Sequence, residues 1–280
     1  ATLSELISKS TNTQTTVKIR DLRSNDRCIL NLKKSFEQYY PDGYLITKRG
    51  EKRPPSKNQD HVIDVVEIGK MIVAWFAQRP NRSYSETDIF NLYFDSMFKS
   101  KPYSPRQLYS LKQLLNAIDD YWRNNKNVNT DKDLNSGRSI FRFHHLYSIS
   151  RLLTEFNKIP FGRVPDPEVT FDLLAKNNLL NPIDELSFNV IYHAMNTYRK
   201  QGLDNLDNGD TSITRSYNVV NWLKNKYSVE CIDKALLDIL TAAESFGNRD
   251  VINNYRIQLS MPNAFESRLL IGNDRFLADG

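Results

Sequence analysis

The sequence predicts a mainly α-helical protein, a multi-helix bundle or a stack of helical hairpins, with a small mixed α/β segment at its N-terminal end. Three observations carry this prediction. Apolar residues recur at helical spacing through almost all of the chain beyond residue 60. Helix starts are marked by local capping sequences, the clearest being Ser104-Pro105 with Gln107 three residues after the cap. Only 10 glycines occur in 280 residues, too few for a fold built from many tight β-turns.

Taken in order, Leu3 to Ile7 reads as a short helix. Ser24 can cap a second, with Ile29, Leu32, Phe36 and Tyr39 on one face and Pro41-Asp42-Gly43 ending it. The stretch YLITKRGEKR reads as a strand entering a hairpin at Arg49-Gly50. From Val62 to Phe76 the chain is apolar except for Asp64, Glu67 and Lys70, which predicts a mostly buried helix with an i, i+3 ion pair between Glu67 and Lys70. Ser85 with Asp88 starts another helix. After Ser104, Leu108, Leu111, Leu115, Ile118 and Trp122 step along one face. NVNTDKDLNSG, residues 127–137, reads as a polar loop before a helix over 138–157. KIPFGRVPDP, residues 158–167, is a Pro-rich link, and Asp166-Pro167 and Asn181-Pro182 each open a helix. GLDNLDNGD, residues 202–210, reads as a turn-forming linker. Helices are predicted over 211–227, 229–246 with Gly247 as the stop, and 249–259. The expected organisation is a basic segment 1–60, a helical domain 61–260 divisible near 158–167, and an irregular tail 261–280.

Charge separates the first of these parts from the rest. Residues 1–60 carry 12 Lys and Arg against 7 Asp and Glu, and the remainder balances at 26 of each. The whole excess of +5 therefore sits in the first fifth of the chain. Local concentration of positive charge points to a polyanionic partner more directly than overall pI does. Among the 12, the candidate nucleic-acid-binding residues are Lys18, Arg20, Arg23, Lys48, Arg49, Lys52 and Arg53, with Tyr39, Tyr40 and Tyr44 nearby. Cations interleaved with aromatics suit single-stranded DNA or RNA, where phosphates pair and bases stack. A solvated basic face is the competing reading.

Sequence motifs for catalysis are scarce. No GxxxxGK[ST], GxSxG, HExxH or CxxC occurs, and Cys28 and Cys231 are too far apart in sequence for a metal or redox spacing. No metal site and no cofactor are expected. The two cysteines suit a reducing compartment, and no run of 18 apolar residues marks a membrane span. Of the four histidines, His144 and His145 are adjacent on a predicted helix, so they point about 100° apart and form no chelating face. Arg138 precedes them by five and six intervening residues, a spacing that resembles the R-x4-6-H signature of helical HEPN ribonucleases. That resemblance implies metal-independent RNA cleavage by Arg138 with His144 or His145. Structural histidines packed in a helical core are the alternative. Arg138 and Arg142, one turn apart, can also hold a phosphate together. Asp119-Asp120 and the Asp64, Glu67, Lys70 stripe do not match the carboxylate–lysine spacing of PD-(D/E)xK nucleases.

One stretch, STNTQTTVKIRDLRSND, holds Asn12, Gln14, Val17, Asp21 and Leu22, and is followed by a Tyr-rich run into Lys48-Arg49-Gly50-Glu51. These features, in this order and with YSETDIFNLYFDSMFK after them, resemble the AIPR (abortive infection phage resistance) family across residues 5–100. Where the family often has Tyr-Glu before the Lys-Arg-Gly-Glu run, this chain has Ile46-Thr47. The resemblance implies a bacterial cytoplasmic protein of antiphage defence. It attaches no reaction to residues. It also implies that this stretch is a C-terminal portion of a longer protein, in keeping with a first residue that is Ala rather than Met. Expected partners are DNA or RNA, or else other proteins or further copies of the chain, with no membrane.

Overall fold

The computed structural model describes residues 19–100, 103–207 and 218–245, then 247, 250, 252, 253, 256, 264–269 and 271; for 202–207 it describes the backbone alone. Within these residues the protein is mainly α-helical with two small two-stranded sheets.

The N-terminal part builds the mixed segment. Helix α1 (Ile19–Arg23) leads into α2 (Arg27–Tyr39), whose cap is Asp26 rather than Ser24. The Asp26 side chain accepts from the Cys28 amide, two residues on, while the Ser24 hydroxyl turns back to the Asp21 carbonyl. Ile29 and Phe36 form the buried face of α2. Strand β1 (Tyr44–Ile46) follows, but it does not enter a hairpin. Its partner is β2 (Val62–Asp64), paired in parallel with Leu45 opposite Ile63, both fully buried. The apolar run predicted as one helix from Val62 is thus divided. Its β-branched start extends along β1, and Asp64 then accepts from the Val66 amide at 2.7 Å and starts α3 (Val65–Trp75).

Most of α3 is buried. Gly69 lets it approach the next helix, since a Cβ there would stand 2.5 Å from Ile89 Cγ2. Ser85 accepts from the Asp88 amide and caps α4 (Glu86–Phe90), after which Asp95–Lys99 forms a π-helical turn. The reciprocal capping box of Ser104 and Gln107 opens α5 (Pro105–Asn124), which buries the predicted Leu108, Leu111, Leu115, Ile118 and Trp122. The expected loop over 127–137 is helical instead. Short α6 (Lys126–Thr130) runs to Asp131, which accepts from the Asp133 and Leu134 amides and starts α7 (Lys132–Phe156) six residues earlier than predicted.

Helix α7 is the axis of the fold. From Phe143 to Ser150 every residue is buried, because α7 is packed by α3 and α5 and by helices still to come. Strand β3 (Arg163–Pro165) leaves it, and Asp166 caps α8 (Pro167–Lys176) as predicted. The long α9 (Leu180–Asp207) runs into the expected linker. After it come α10 (Val219–Leu223), capped by Asn218, and α11 (Lys226–Ser245). All three pack on α7. Leu3–Ile7 and 211–217 lie outside the described residues, as does most of 249–259.

The tail is irregular only in part. Phe265–Ser267 forms β4, antiparallel to β3 with Val164 opposite Glu266. It is held further by Asp166 N to the Ala264 carbonyl (2.8 Å) and Leu269 N to the Phe76 carbonyl (2.9 Å), while the Trp75 indole anchors β3 through the Pro165 carbonyl (2.8 Å). One hydrophobic core joins Ile29, Phe36 and Leu45 to the α3 and α7 residues and reaches Ala264 and Ile271.

Candidate functional site

The sequence motif splits into two pieces almost thirty residues apart, and the fold brings them together. Arg20, on α1, reaches across to the end of β1. Its guanidinium donates to the Thr47 and Lys48 carbonyls and forms a 2.8 Å ion pair with Asp64. Asp21, beside it, accepts from the Arg49 amide at 3.1 Å. The turn they grip is Lys48–Glu51, closed by the Glu51 amide to the Lys48 carbonyl. Gly50 sits there at φ +74°, a left-handed conformation that a side chain would strain.

Glu51 fixes the turn from inside. Its two oxygens accept from the Thr47 and Lys48 amides, the Tyr44 hydroxyl (2.6 Å) and the Lys33 ammonium (2.6 Å). Burial pushes the carboxyl pKa upward, but the bonds from Lys33, Tyr44, Lys48 and Thr47 outweigh it and hold the value at about 2. Lys33 also lies over the Tyr44 ring at 4.1 Å. Despite the cost of its own burial, the hydrogen bonds to Glu51 and Tyr44 raise its pKa.

This arrangement divides the predicted cations. Arg20 is buried and faces inward. Arg23 lies over the Phe94 ring at 4.4 Å and donates to the Phe90 carbonyl. Arg53 donates to the Pro54 and Lys57 carbonyls. Lys48, Arg49 and Lys52 are exposed, and among the described residues their side chains make no ion pair or hydrogen bond. Leu22 is exposed as well. Asn12, Gln14, Val17 and Lys18 lie outside the described residues. Lys33, Tyr44 and Asp64 complete the frame, and sequence reasoning did not find their roles. Only the turn and the fold bring them within reach of Glu51 and Arg20.

The histidine pair has a different setting. His144 and His145 both have zero exposure. His144 faces α11, with Nε2 3.3 Å from Ser228 Oγ, and burial drives its pKa down to about 4. His145 lies between α5 and α9. Trp122 Nε1 donates to its Nδ1 at 2.7 Å, which requires that nitrogen to be bare and leaves the proton on Nε2, 3.5 Å from Asp184 Oδ1. Burial lowers the His145 pKa to about 3 and raises that of Asp184 to about 8. Arg138 donates instead to the Asp119 carbonyl. Arg142 pairs with Asp119 (2.6 Å) and Glu67 (3.2 Å), so the two arginines are not a free phosphate clamp. Glu67 is bound by Lys112 and Arg142, not by Lys70 as expected. Lys70 lies over the Phe143 ring at 5.7 Å, and burial lowers its pKa. No group of three or more His, Cys, Asp or Glu able to hold a metal ion occurs among the described residues.

The two motif pieces locked onto one turn form a feature that spans the N-terminal unit, and the match to known families extends well past it. The family model for AIPR protein matches residues 1–244. The chain belongs to the AIPR family. The match is longer than the stretch in which the sequence motifs are recognisable, and takes in every helix of the α7 bundle. It ends before β4. No curated protein and no solved structure matches the chain. AIPR membership suggests an abortive-infection, phage-resistance role. Among the described residues, no helix of this AIPR protein is long and apolar enough to cross a membrane.

Proposed function

We propose that this AIPR protein acts in abortive infection, in the cytoplasm of a bacterium, by contacting nucleic acid through the outer edge of the Lys48–Lys52 turn. One observation carries the reading. Arg20, Asp21 and Glu51 hold the turn from within, while Lys48, Arg49 and Lys52 stay exposed and without partners among the described residues. A rigid backbone that presents cations loses little side-chain and loop freedom on meeting a phosphate chain. Contacts of this kind give affinity without base specificity. The ribonuclease alternative is not adopted, because neither imidazole is accessible to a substrate.

The test is fluorescence anisotropy with labelled single-stranded and duplex DNA and RNA from low to physiological salt. The variant Lys48→Ala/Arg49→Ala/Lys52→Ala is run beside the intact chain, and probe integrity is checked afterwards. Three phosphate contacts predict a log–log salt slope of about −2 to −3, lost in the variant. Absence of binding at low salt, or binding that the variant retains in full, would overturn the proposal.

A further inference from the structure

A second site lies along α7, where β3, the turn before it, α11 and the segment after β4 line a cleft of about 330 Å³. That size suits a single nucleotide-sized ligand. Three arginines line it: Arg151, Arg163 and Arg268. Two carboxylates face them. Asp233 accepts from the Tyr147 hydroxyl (2.6 Å) and Arg151 Nε (3.2 Å), and Glu155 accepts from Arg151 (3.0 Å). Both acids are thus bound to Arg151. Arg163 is exposed and Arg268 half-buried, and neither guanidinium has an ion pair or hydrogen bond among the described residues. Arg268 is the notable one. Burial, with Arg79 and Arg151 close by, lowers its pKa although Tyr147 and Asp233 oppose the shift. A partly desolvated guanidinium beside other cations is stabilised by an incoming anion.

The rim supplies an aromatic group. Phe161 is 99% exposed, more than any other large hydrophobic side chain among the described residues. A single exposed phenylalanine needs no explanation on its own. Here the backbone around it is fixed. The Arg163 amide donates to the Pro160 carbonyl, and the Arg268 amide donates to the Gly162 carbonyl at 2.6 Å. The same peptide group that anchors Phe161's neighbour therefore positions Arg268. The ring and the two unpaired guanidiniums border one cavity.

We propose that this cleft binds a nucleotide unit, with Arg268 and Arg163 on its phosphate and Phe161 stacked on its base. The ligand is a free nucleotide or the phosphorylated end of a single strand, which offer the same chemistry. The inference does not depend on the basic turn, which lies on different elements.

The test is titration calorimetry on the full chain with adenosine monophosphate, adenosine triphosphate, inorganic phosphate and a 5′-phosphorylated tetranucleotide. Because Phe161 is exposed, Phe161→Ala is expected to fold normally, which circular dichroism checks. It should weaken ligands that carry a base by about fivefold or more and leave inorganic phosphate unchanged. Arg268→Gln should weaken all of them by about tenfold or more. The Lys48→Ala/Arg49→Ala/Lys52→Ala variant should bind nucleotide as the intact chain does, so the two sites fail or succeed separately. Binding of the mononucleotides assigns the site to a free nucleotide, and binding of the tetranucleotide alone assigns it to a strand end. No binding of any base-carrying ligand at millimolar concentration, or nucleotide binding that Phe161→Ala leaves unaltered, would overturn the inference.

Discussion

Glu51 and Asp184 are both carboxyl groups withdrawn from water, one in the N-terminal unit and one in the helical bundle. Burial raises the pKa of both, yet Glu51 ends at about 2 and Asp184 at about 8. Their partners account for the difference. Glu51 meets an ammonium, a phenol and two backbone amides that all donate to the charged form. Asp184 faces His145, which Trp122 keeps neutral at Nδ1, and its second oxygen has no partner among the described residues. The Glu51 turn is therefore held with charge, whereas the His145–Asp184 contact inside the bundle is held without it. This also separates the two sequence motifs. The Lys-Arg-Gly-Glu run frames an exposed edge, whereas the Arg-His spacing on α7 belongs to the core.

The sharpest way to break the comparison is at Glu51. Glu51→Ala removes the acceptor shared by Tyr44 and two amides, leaves Lys33 only the longer ion pair to Glu37 (3.8 Å), and should cost about 3 kcal/mol in chemical denaturation. Glu51→Gln, which keeps one carbonyl, should cost about half of that. A loss within experimental error would mean that the turn is held without charge.

Next comes pH. Glu51, depressed in the fold, gives stability that is complete above its ordinary value of 4.5 and lost as pH falls toward 2. His144, lowered from 6.5 to about 4, likewise favours the fold as pH rises across that interval. His145 and Asp184 oppose each other between 3.8 and 6.5, since in that range the folded and unfolded pair each hold one proton. Above 6.5 the unfolded pair loses its proton, and the folded pair keeps it until about 8. These groups together should give a stability maximum near pH 6.5, with a fall of about 2 kcal/mol by pH 8. Denaturation midpoints at half-unit steps would show it, and a flat profile from 6.5 to 8 would mean that Asp184 is ionised in the fold.

Asp184→Asn sharpens the same point with a smaller effect. An amide replaces a neutral acid of the same shape, so the change at pH 6.5 should stay within about 1 kcal/mol. The decline above 6.5 should vanish. Smallest of all, Lys48→Ala/Arg49→Ala/Lys52→Ala should alter stability by no more than about 0.5 kcal/mol, because these side chains contact nothing that the fold requires.

Much of the fold was legible where its causes are local. Ser85, Ser104 with Gln107, and Asp166-Pro167 start helices because cap, proline and acceptor lie within three residues. Residues 127–137 misled because Asn, Asp and Gly are turn formers. Here Asp131 caps a helix, and Gly137 lies inside it, packed against Phe141 and Leu223. Val62–Asp64 was read into a helix because its parallel partner lies 18 residues away, beyond any periodicity. The site was legible as a motif and not as a geometry. No spacing rule connects Arg20 to Asp64 or Lys33 to Glu51. The exclusion of both histidines from solvent likewise depends on Ser228, Trp122 and Asp184, which three other helices supply.

The pairing of β3 with β4 joins residues about a hundred positions apart, Arg163 with Ser267 and Pro165 with Phe265. Contacts of such long range form late, since the intervening chain must be ordered or looped first. On a ribosome the order is stricter, because α3, α5 and α7 emerge and can pack long before residue 265 is made. The cleft beside Phe161 and Arg268 thus comes into being only after the helices that flank it. Any activity that depends on it is withheld from a nascent chain until β4 has been made and paired with β3.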